Sequence, residues 1–201
     1  MGKIICLMGK SSTGKDTIFK RLLQREDLGL KLIVPYTTRP MRAGEQEGVE
    51  YYFTDEADFL KLQEQGKVIE NRAYDTIYGQ WRYFTVVDAS VDLSQNNYCI
   101  ICTLEAYVGI CNYFGENKVL PILIEVDDGE RLQRALNREK RQEKPQYEEM
   151  CRRFLADSRD FSEERIEEAG IQRRFYNDSL EACLRAIVTY ISENIELGRK
   201  G

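Results

Sequence analysis

The stretch GKSSTGKDT at residues 9–17 determines how the rest of the chain is interpreted. Its first seven residues satisfy the pattern G-x-x-x-x-G-K. The preceding residues, KIICLMG, form a short apolar run that is typical of a strand buried on both faces. The following residues, GKDTIFKRLLQRE, place Ile18, Leu22 and Leu23 on one helical face. The sequence therefore predicts a phosphate-binding loop between a buried strand and a helix.

The residue types of this loop fit an anion. Gly9 and Gly14 allow backbone angles that turn successive N–H groups inward, and the start of the following helix adds partial positive charge. Lys15 is expected to reach the outer phosphates of the bound molecule. The residues predicted to hold that molecule are Gly9, Lys10, Ser11, Ser12, Thr13, Gly14, Lys15, Asp16 and Thr17.

One position departs from the usual loop. The residue after the lysine is usually Ser or Thr, which binds magnesium, whereas this chain has Asp16 followed by Thr17. We interpret Asp16 as pointing towards the metal and holding it through water, with the hydroxyl of Thr17 as a further ligand. The predicted Mg²⁺ ligands are therefore Asp16 and Thr17.

The composition excludes several classes of protein. The chain has 201 residues, enough for one domain, and its net charge of −5 argues against a polymeric nucleic acid as partner. There are six cysteines and no histidine, and the short-spaced pair Cys99 and Cys102 lies in an apolar run, which predicts buried thiols. This pattern favours a reducing cytoplasm. We expect no membrane partner, since no apolar run approaches membrane-spanning length, and the oligomeric state stays open.

The order of the predicted elements indicates an α/β fold. Buried strands and helices alternate at both ends of the chain, with a β-rich insert between them. Residues 32–40 are interpreted as one strand ending in a turn, and residues 145–166 as one helix. We expect a single domain with the three-layer P-loop NTPase fold, in which helices cover both faces of a central parallel sheet. Its predicted parts are a core (1–36, 91–126 and 161–201), an acceptor lobe (37–90) and a lid (127–160).

The acceptor lobe begins with a second set of groups suited to a phosphate. Arg39 and Arg42 flank a proline turn, and the planar fork of arginine matches phosphate better than lysine does. Tyr51 and Tyr78 offer hydroxyl donors. Glu70 lies in an otherwise apolar segment, where a carboxylate needs partners, such as the two N–H groups of a guanine edge.

Together these motifs resemble those of the guanylate kinases. That family has a P-loop, then T-T-R-x-P-R-x-G-E-x-x-G-x-x-Y, then I-E and Y-G, and the resemblance spans roughly residues 3–190. It implies transfer of a phosphoryl group from ATP to GMP with Mg²⁺, ATP lying at the loop. The resemblance further implies that Arg39, Arg42, Tyr51 and Tyr78 hold the GMP phosphate and that Glu70 holds the guanine.

The lid is similar to that of the same family. Arg134 and Arg138 match a pair of arginines four residues apart, and Arg153 best matches a third. Arg134 is expected to bind ATP, while Lys15, Arg138 and Arg153 are expected to be catalytic, because phosphoryl transfer needs positive charge over the γ-phosphate. The resemblance places Asn177 near the adenine of ATP. A helix N-cap, shared with Asp178, is the alternative for this residue.

Several family positions differ in this chain. Pro35 replaces a serine, Gln80 replaces the serine after Y-G, and Cys102 and Leu104 stand where the family has two aspartates. We expect Gln80 to donate to the base oxygen in place of the lost hydroxyl, and Glu105, one residue further on, offers a substitute carboxylate. A site that lacks a hydrogen-bond partner can lose on the order of 10⁴ in discrimination. The sequence therefore argues more firmly for phosphoryl transfer than for GMP as the acceptor.

Two alternatives stay open at this point. One is a kinase of another small phosphate ester, either another nucleoside monophosphate or a ribose bisphosphate, whose kinases share the architecture and an Asp after the loop lysine. The other is a non-catalytic interaction module related to the guanylate kinases. Such modules typically lose the glycine–lysine loop, which this chain keeps.

Overall fold

The structure is a computed structural model of the chain and describes residues 2–42, 45–76, 79–87 and 91–199. The strands are β1 (Ile4–Met8), β2 (Leu30–Leu32), β3 (Tyr36–Thr37), β4 (Tyr52–Phe53), β5 (Val68–Thr76), β6 (Gly79–Val86), β7 (Asn97–Ile101), β8 (Val119–Glu125) and β9 (Arg174–Tyr176). The α-helices are α1 (Lys15–Leu23), α2 (Glu56–Glu64), α3 (Leu104–Phe114), α4 (Asp128–Glu139), α5 (Tyr147–Asp160), α6 (Glu163–Glu168) and α7 (Leu180–Arg199).

A five-stranded parallel sheet forms the centre of the fold, with strand order β2-β7-β1-β8-β9. Every residue of β1 is buried, because its side chains alternate between two hydrophobic clusters on opposite faces of the sheet. Ile4 and Met8 pack in the cluster that contains residues of α3, whereas Ile5 and Leu7 pack with residues of α1 and α7. The predicted parallel sheet with helices on both faces is therefore confirmed.

A second, four-stranded sheet with the order β4-β3-β6-β5 lies within the predicted β-rich insert. Strands β5 and β6 form the predicted antiparallel hairpin, in which Thr76 pairs with Gly79. Phe59 from α2 packs against Phe84 and Val86 from β6 and gives this sheet its own small core. The division of the chain into core, acceptor lobe and lid stays a prediction.

Two predicted elements are wrong in their boundaries. Residues 32–40 do not form one strand, because β2 ends at Leu32 and Tyr36–Thr37 join the other sheet as β3. Pro35 lies between them and has no N–H for a sheet ladder, so the chain can leave the first sheet there. Residues 145–166 form two helices, because Phe161 leaves the helical conformation and buries its side chain in the main core.

Helix α3 is absent from the sequence interpretation. The signal for it is present, since Leu104, Tyr107 and Ile110 recur at helical spacing and are buried. Thr103 caps its N-terminus by accepting a hydrogen bond from the backbone N–H of Ala106. This run directly follows the apolar strand β7, where periodicity alone does not separate strand from helix.

The six cysteines are free thiols, and Cys151 on α5 is the exposed one. Cys99 and Cys102 are buried, as predicted, and burial raises the pKa of the Cys99 thiol. Within the described ranges, no helix is long and apolar enough to cross a membrane.

A glycine on α3 allows an unusually close approach to β5. A Cβ atom at Gly109 would lie 2.7 Å from the Cβ of Glu70 and 3.3 Å from the backbone oxygen of Ile69. Side chains do not tolerate a Cβ–Cβ distance of 2.7 Å, so only glycine fits without displacing β5. This packing fixes how close β5, and with it Glu70, lies to α3.

We predict that Gly109→Ala destabilises the protein. Alanine gains about 1 kcal/mol of helix propensity over glycine, but overpacking costs about 1–3 kcal/mol, so we expect a net loss of about 1 kcal/mol. Urea unfolding of the variant measures this loss. Val108→Ala, at an exposed position of the same helix, is the matched control. A Gly109→Ala protein more stable than the parent would contradict the close packing.

Candidate functional site

The loop of residues 9–15, hereafter the phosphate loop, depends on its two glycines. Gly9 and Gly14 have φ angles of 152° and 85°, which glycine adopts without strain. A Cβ at Gly9 would lie 2.4 Å from the carbonyl oxygen of Ile124, and one at Gly14 would lie 2.5 Å from Nδ2 of Asn177. Both glycines are therefore required by backbone angle and by space.

Ser12 is the strained residue of the phosphate loop. Its φ of 66° is in the left-handed region, which costs a residue with a side chain roughly 1–2 kcal/mol. Its hydroxyl oxygen is buried, and no hydrogen-bond partner for it lies within the described ranges. A buried hydroxyl without a partner indicates a place where a polar ligand binds.

A long-range hydrogen bond anchors the phosphate loop. The amide of Asn177, which is 4% exposed, donates to the backbone oxygen of Thr13 over 2.7 Å. The hydroxyl of Thr13 in turn donates to the backbone oxygen of Lys10 at 2.9 Å. Asn177 thus holds the loop from outside, a role that neither of its two predicted interpretations contains. Its predicted place near the adenine stays a prediction.

Lys15 begins α1, and both carboxylates and guanidinium groups act on its ammonium group. Burial lowers the pKa of Lys15, the nearby carboxylates of Asp16 and Asp157 oppose this, and the positive charges of Arg153 and Arg138 lower it further. The two lid arginines therefore lie close enough to Lys15 to affect its protonation. The free protein concentrates three cations where an anion is expected.

The lid helices face the phosphate loop across a small cavity. This cavity is lined by Ser11, Ser12, Arg131, Ala135, Arg138, Met150, Arg153 and Phe154. Arg134 lies to one side, where it donates to the backbone oxygen of Asn177 at 3.2 Å and to Glu130 at 3.0 Å. The structure therefore brings Arg138 and Arg153 to the loop and Arg134 to its anchor.

Three lid residues that the motifs do not predict also contact the phosphate loop. Asp128 accepts from Nζ of Lys10 at 3.4 Å. Asp157 accepts a hydrogen bond from the backbone N–H of Ser11 at 2.7 Å. Arg131 donates to the backbone oxygen of Ser11 at 3.3 Å and is almost completely buried. Arg131 shares a helical face with Arg134 and Arg138 at i, i+3 and i+7, and this spacing is the signal that could have found it.

Arg39 is buried in the acceptor lobe and is held from several sides. Its guanidinium group donates to both carboxylate oxygens of Glu45, at 2.5 and 2.7 Å, and lies 5.0 and 5.4 Å from the ring centroids of Tyr51 and Phe53. The hydrogen bond from Arg39 lowers the pKa of Glu45. The arginine is fixed in one orientation, with 3% of its surface exposed.

Arg42 lies at the other side of the same turn and is exposed. Its backbone N–H donates to Glu45 at 2.8 Å. The pKa of Glu149 on the lid helix α5 is lowered mainly by the hydrogen bond from Arg152 and, to a smaller extent, by the charge of Arg42. The charge of Arg42 therefore reaches this helix. Tyr78, the remaining predicted phosphate ligand, is outside the described residues.

Glu70 has partners on both carboxylate oxygens. The hydroxyl of Thr85 donates to Oε1 at 2.6 Å, and Nε of Arg72 lies 3.3 Å from Oε2. Burial would lower the pKa of Arg72, but its acidic neighbours, with Glu70 first among them, raise it overall. Gln80 is exposed, and its amide donates to Asp75 across the hairpin at 3.1 Å.

Two of the positions that depart from the family pattern lie in the hydrophobic core. Cys102 and Leu104 are buried, whereas Glu105 is exposed in the first turn of α3. The charge of Glu105 reaches Arg72, whose pKa it helps to raise. A carboxylate thus remains at this end of β7, one residue later than in the family pattern.

The residues predicted to bind Mg²⁺ are exposed oxygen donors at the start of α1. Asp16 and Thr17 both face solvent next to Lys15. In the part of the chain that the structure describes, no three His, Cys, Asp or Glu side chains form a metal-binding group. Mg²⁺ typically keeps several waters and binds through one or two carboxylates plus substrate phosphates, so this sparse donor set fits it.

A family model described as guanylate kinase matches residues 1–193 of the chain. The chain belongs to the guanylate kinase family. It is 39% identical to the guanylate kinase of Chlorobium chlorochromatii over 121 residues, which cover 59% of this chain and 61% of that protein. It is 27% identical to the guanylate kinase of Chlorobaculum tepidum over 207 residues, which cover 96% of this chain and 93% of the relative.

A solved structure shows the same fold. The guanylate kinase of Anaplasma phagocytophilum superposes with a TM-score of 0.67 at 19% identity, covering 96% of this chain and 86% of that one. In its alignments with three curated guanylate kinases, the chain spans 61%, 43% and 38% of the length of those proteins. The family resemblance and the fold class predicted from the sequence are both confirmed, while the roles of the individual site residues stay predictions.

We predict that Lys15→Met raises the melting temperature of the free protein at neutral pH. Below the lowered pKa, the ammonium is charged in both the folded and the unfolded chain, so the cost of burying it is fully present. As the pH rises towards 10.5, the folded protein loses this proton first and the cost disappears. The stabilisation of the variant should be a few degrees, roughly, at pH 7 and should shrink towards pH 10.

Thermal unfolding at several pH values checks this expectation. Lys20→Met is the matched control, because Lys20 is exposed on the same helix. Equal melting temperatures for the two variants at pH 7, or an advantage that grows with pH, would show that Lys15 is not buried as a cation.

Proposed function

We propose that the chain transfers the γ-phosphoryl group of ATP to GMP and so forms GDP. The observation that carries this proposal is the meeting of Arg138 and Arg153 of the lid with Lys15 and the phosphate loop. Phosphoryl transfer requires little covalent chemistry from the protein, and its catalysis comes from positioning and from neutralising charge. A site that gathers three cations around an anion-binding loop supplies this neutralisation.

In the proposed reaction the phosphate loop holds the β- and γ-phosphates of ATP through its backbone N–H groups and Lys15. Arg138 and Arg153 place positive charge over the transferred group. Arg134, next to Asn177, contacts a part of the nucleotide that lies further from the transferred group. Closure of the lid excludes water and so limits hydrolysis of ATP. One well-placed arginine can contribute about 10³–10⁵ to the rate.

The acceptor phosphate binds at the opposite side of the cleft. Arg39, already oriented by Glu45 and two aromatic rings, and the exposed Arg42 donate to it. Tyr51 and Tyr78 add hydroxyl donors. An arginine that is fixed before binding loses little side-chain entropy when the phosphate arrives, which favours affinity.

Mg²⁺ completes the donor site. Asp16, through water, and Thr17 hold the ion at the start of α1. When bound, it neutralises charge on the ATP phosphates. Lys15 and the backbone of the phosphate loop orient these phosphates.

The acceptor base is proposed to contact Glu70, with Gln80 donating to its oxygen. One observation favours a different acceptor as the second candidate function. Both oxygens of Glu70 already have donors, from Thr85 and Arg72, whereas guanine offers two further N–H groups to the same carboxylate. Another small phosphate ester, such as a different nucleoside monophosphate or a ribose bisphosphate, is therefore kept as the alternative acceptor.

The proposed cellular setting is the cytoplasm, supported by the six free thiols of the chain. ATP and GMP are the proposed partners.

A coupled assay of ADP formation tests the proposed function. The acceptors are GMP, dGMP, AMP, IMP, XMP and ribose bisphosphate, each with ATP and Mg²⁺. We expect GMP to give the highest kcat/KM, and Lys15→Met to lower kcat by about 10²–10³ because the phosphates lose their lysine.

Two results would overturn the proposed function. A higher kcat/KM with another ester would replace GMP as the acceptor. Saturable binding of ATP without turnover of any acceptor would assign the chain to the non-catalytic modules.

A further inference from the structure

Arg131 is the most deeply buried charged side chain of the lid, with 1% of its surface exposed. Its guanidinium carbon lies 4.0 Å from the ring centroid of Phe154. Nε contacts Asp128 at 3.0 Å, and Nη1 contacts both Asp157 and the backbone oxygen of Ser11 at 3.3 Å. Its Nη2 is buried, and no described residue accepts a hydrogen bond from it.

Asp157 connects this arginine to the phosphate loop. A single oxygen, Oδ2, accepts from the backbone N–H of Ser11 at 2.7 Å and from Arg131 at 3.3 Å. The charge of Asp157 also reaches Lys15, since it raises the pKa of that lysine. A carboxylate oxygen that accepts hydrogen bonds from a loop N–H and from a guanidinium group has the surroundings of a bound phosphate oxygen.

We propose that Asp157 takes the place of a phosphate of ATP in the free protein and that Arg131 is a further ATP-binding residue. Asp157 pairs with Arg131 until the nucleotide binds. The inference rests on the proposed function, because it assumes that ATP binds at the phosphate loop. Neither residue belongs to the motifs from which the ATP site is predicted. Arg131 lines the same cavity as Arg138 and Arg153, and its buried Nη2 has no acceptor among the described residues, so this group is left to donate to a phosphate.

The exchange follows from charge balance. A buried guanidinium needs a counter-ion, and Asp128 and Asp157 both provide one in the free protein. ATP brings several negative charges to the loop, and these repel the Asp157 carboxylate. When Asp157 moves away, a phosphate oxygen takes over its place beside Arg131. Asp157 therefore keeps the lid on the empty loop and at the same time competes with ATP.

A purely structural ion pair would behave differently. If Arg131 and Asp157 only joined the lid to the core, neutralising Asp157 would loosen the lid and either weaken ATP binding or leave it unchanged. Under the proposal, the same change removes a competitor, so the free protein becomes less stable while ATP binds more tightly. A structural ion pair alone predicts that both readouts weaken or that binding is unchanged, whereas the proposal predicts that they move in opposite directions.

Calorimetric titration with Mg-ATP tests the role of Asp157. We expect Asp157→Asn, which keeps the shape but loses the charge, to lower the Kd for ATP on the order of tenfold. Asp160→Asn is the matched control, since Asp160 is an exposed carboxylate on the same helix that pairs with Arg165. Unchanged or weaker ATP binding in Asp157→Asn would overturn the proposal.

Arg131→Met tests the second half of the inference. Methionine retains length and packing against Phe154, and replacing a buried ion pair by apolar groups is often tolerated. We expect this change to raise the Kd for ATP on the order of tenfold even in the Asp157→Asn background, where the ion pair with Asp157 is already lost and the one with Asp128 remains. Equal Kd values for Asp157→Asn and the double variant would show that Arg131 does not bind ATP.

Failure of the inference can be separated from failure of the proposed function. Thermal unfolding of each free variant first establishes that it is folded. If the parent binds no ATP, the proposed function fails, and the inference fails with it. If the parent binds ATP and the Asp157 variant shows no gain, the inference alone is wrong.

Discussion

The hydrogen bond from the buried amide of Asn177 to the backbone oxygen of Thr13 is the constraint on which the site depends. It joins residues 164 positions apart and fixes a loop that carries left-handed backbone at Ser12 and Gly14. Without this anchor, the strained loop could relax, and its N–H groups would lose their common direction. Because the loop is held before any ligand binds, the free energy of binding need not be spent on ordering it.

The second constraint on the structure is that its buried cations need counter-ions. Arg39 and Arg131 are buried, and a desolvated cation requires a counter-ion even when no substrate is present. The protein provides these counter-ions itself, with Glu45 at Arg39 and Asp157 at Arg131. Both proposed anion sites therefore contain an internal carboxylate in the free chain. This arrangement keeps the cleft stable while empty and reserves the strongest donors for the substrates.

Local patterns were sufficient to predict the phosphate loop, the buried strand β1 and the β5–β6 hairpin, because each is encoded within about twenty residues. The contacts of Asp157 with Ser11 and of Asn177 with Thr13 could not be predicted, since they join distant parts of the chain that only the fold brings together. The break at Phe161 has the same origin, because tertiary burial of that side chain overrides helix propensity. The double occupation of Glu70 likewise depends on strand register rather than on a motif.

The central claim is that two anion sites face one another across a single cleft. The most direct test is the affinity for a dinucleotide in which adenosine and guanosine are joined through five phosphates. If both sites lie in one cleft, this molecule should bind at least about 10²-fold more tightly than either ATP or GMP alone, because the second half binds at high effective concentration. A Kd no lower than that of ATP would contradict the arrangement.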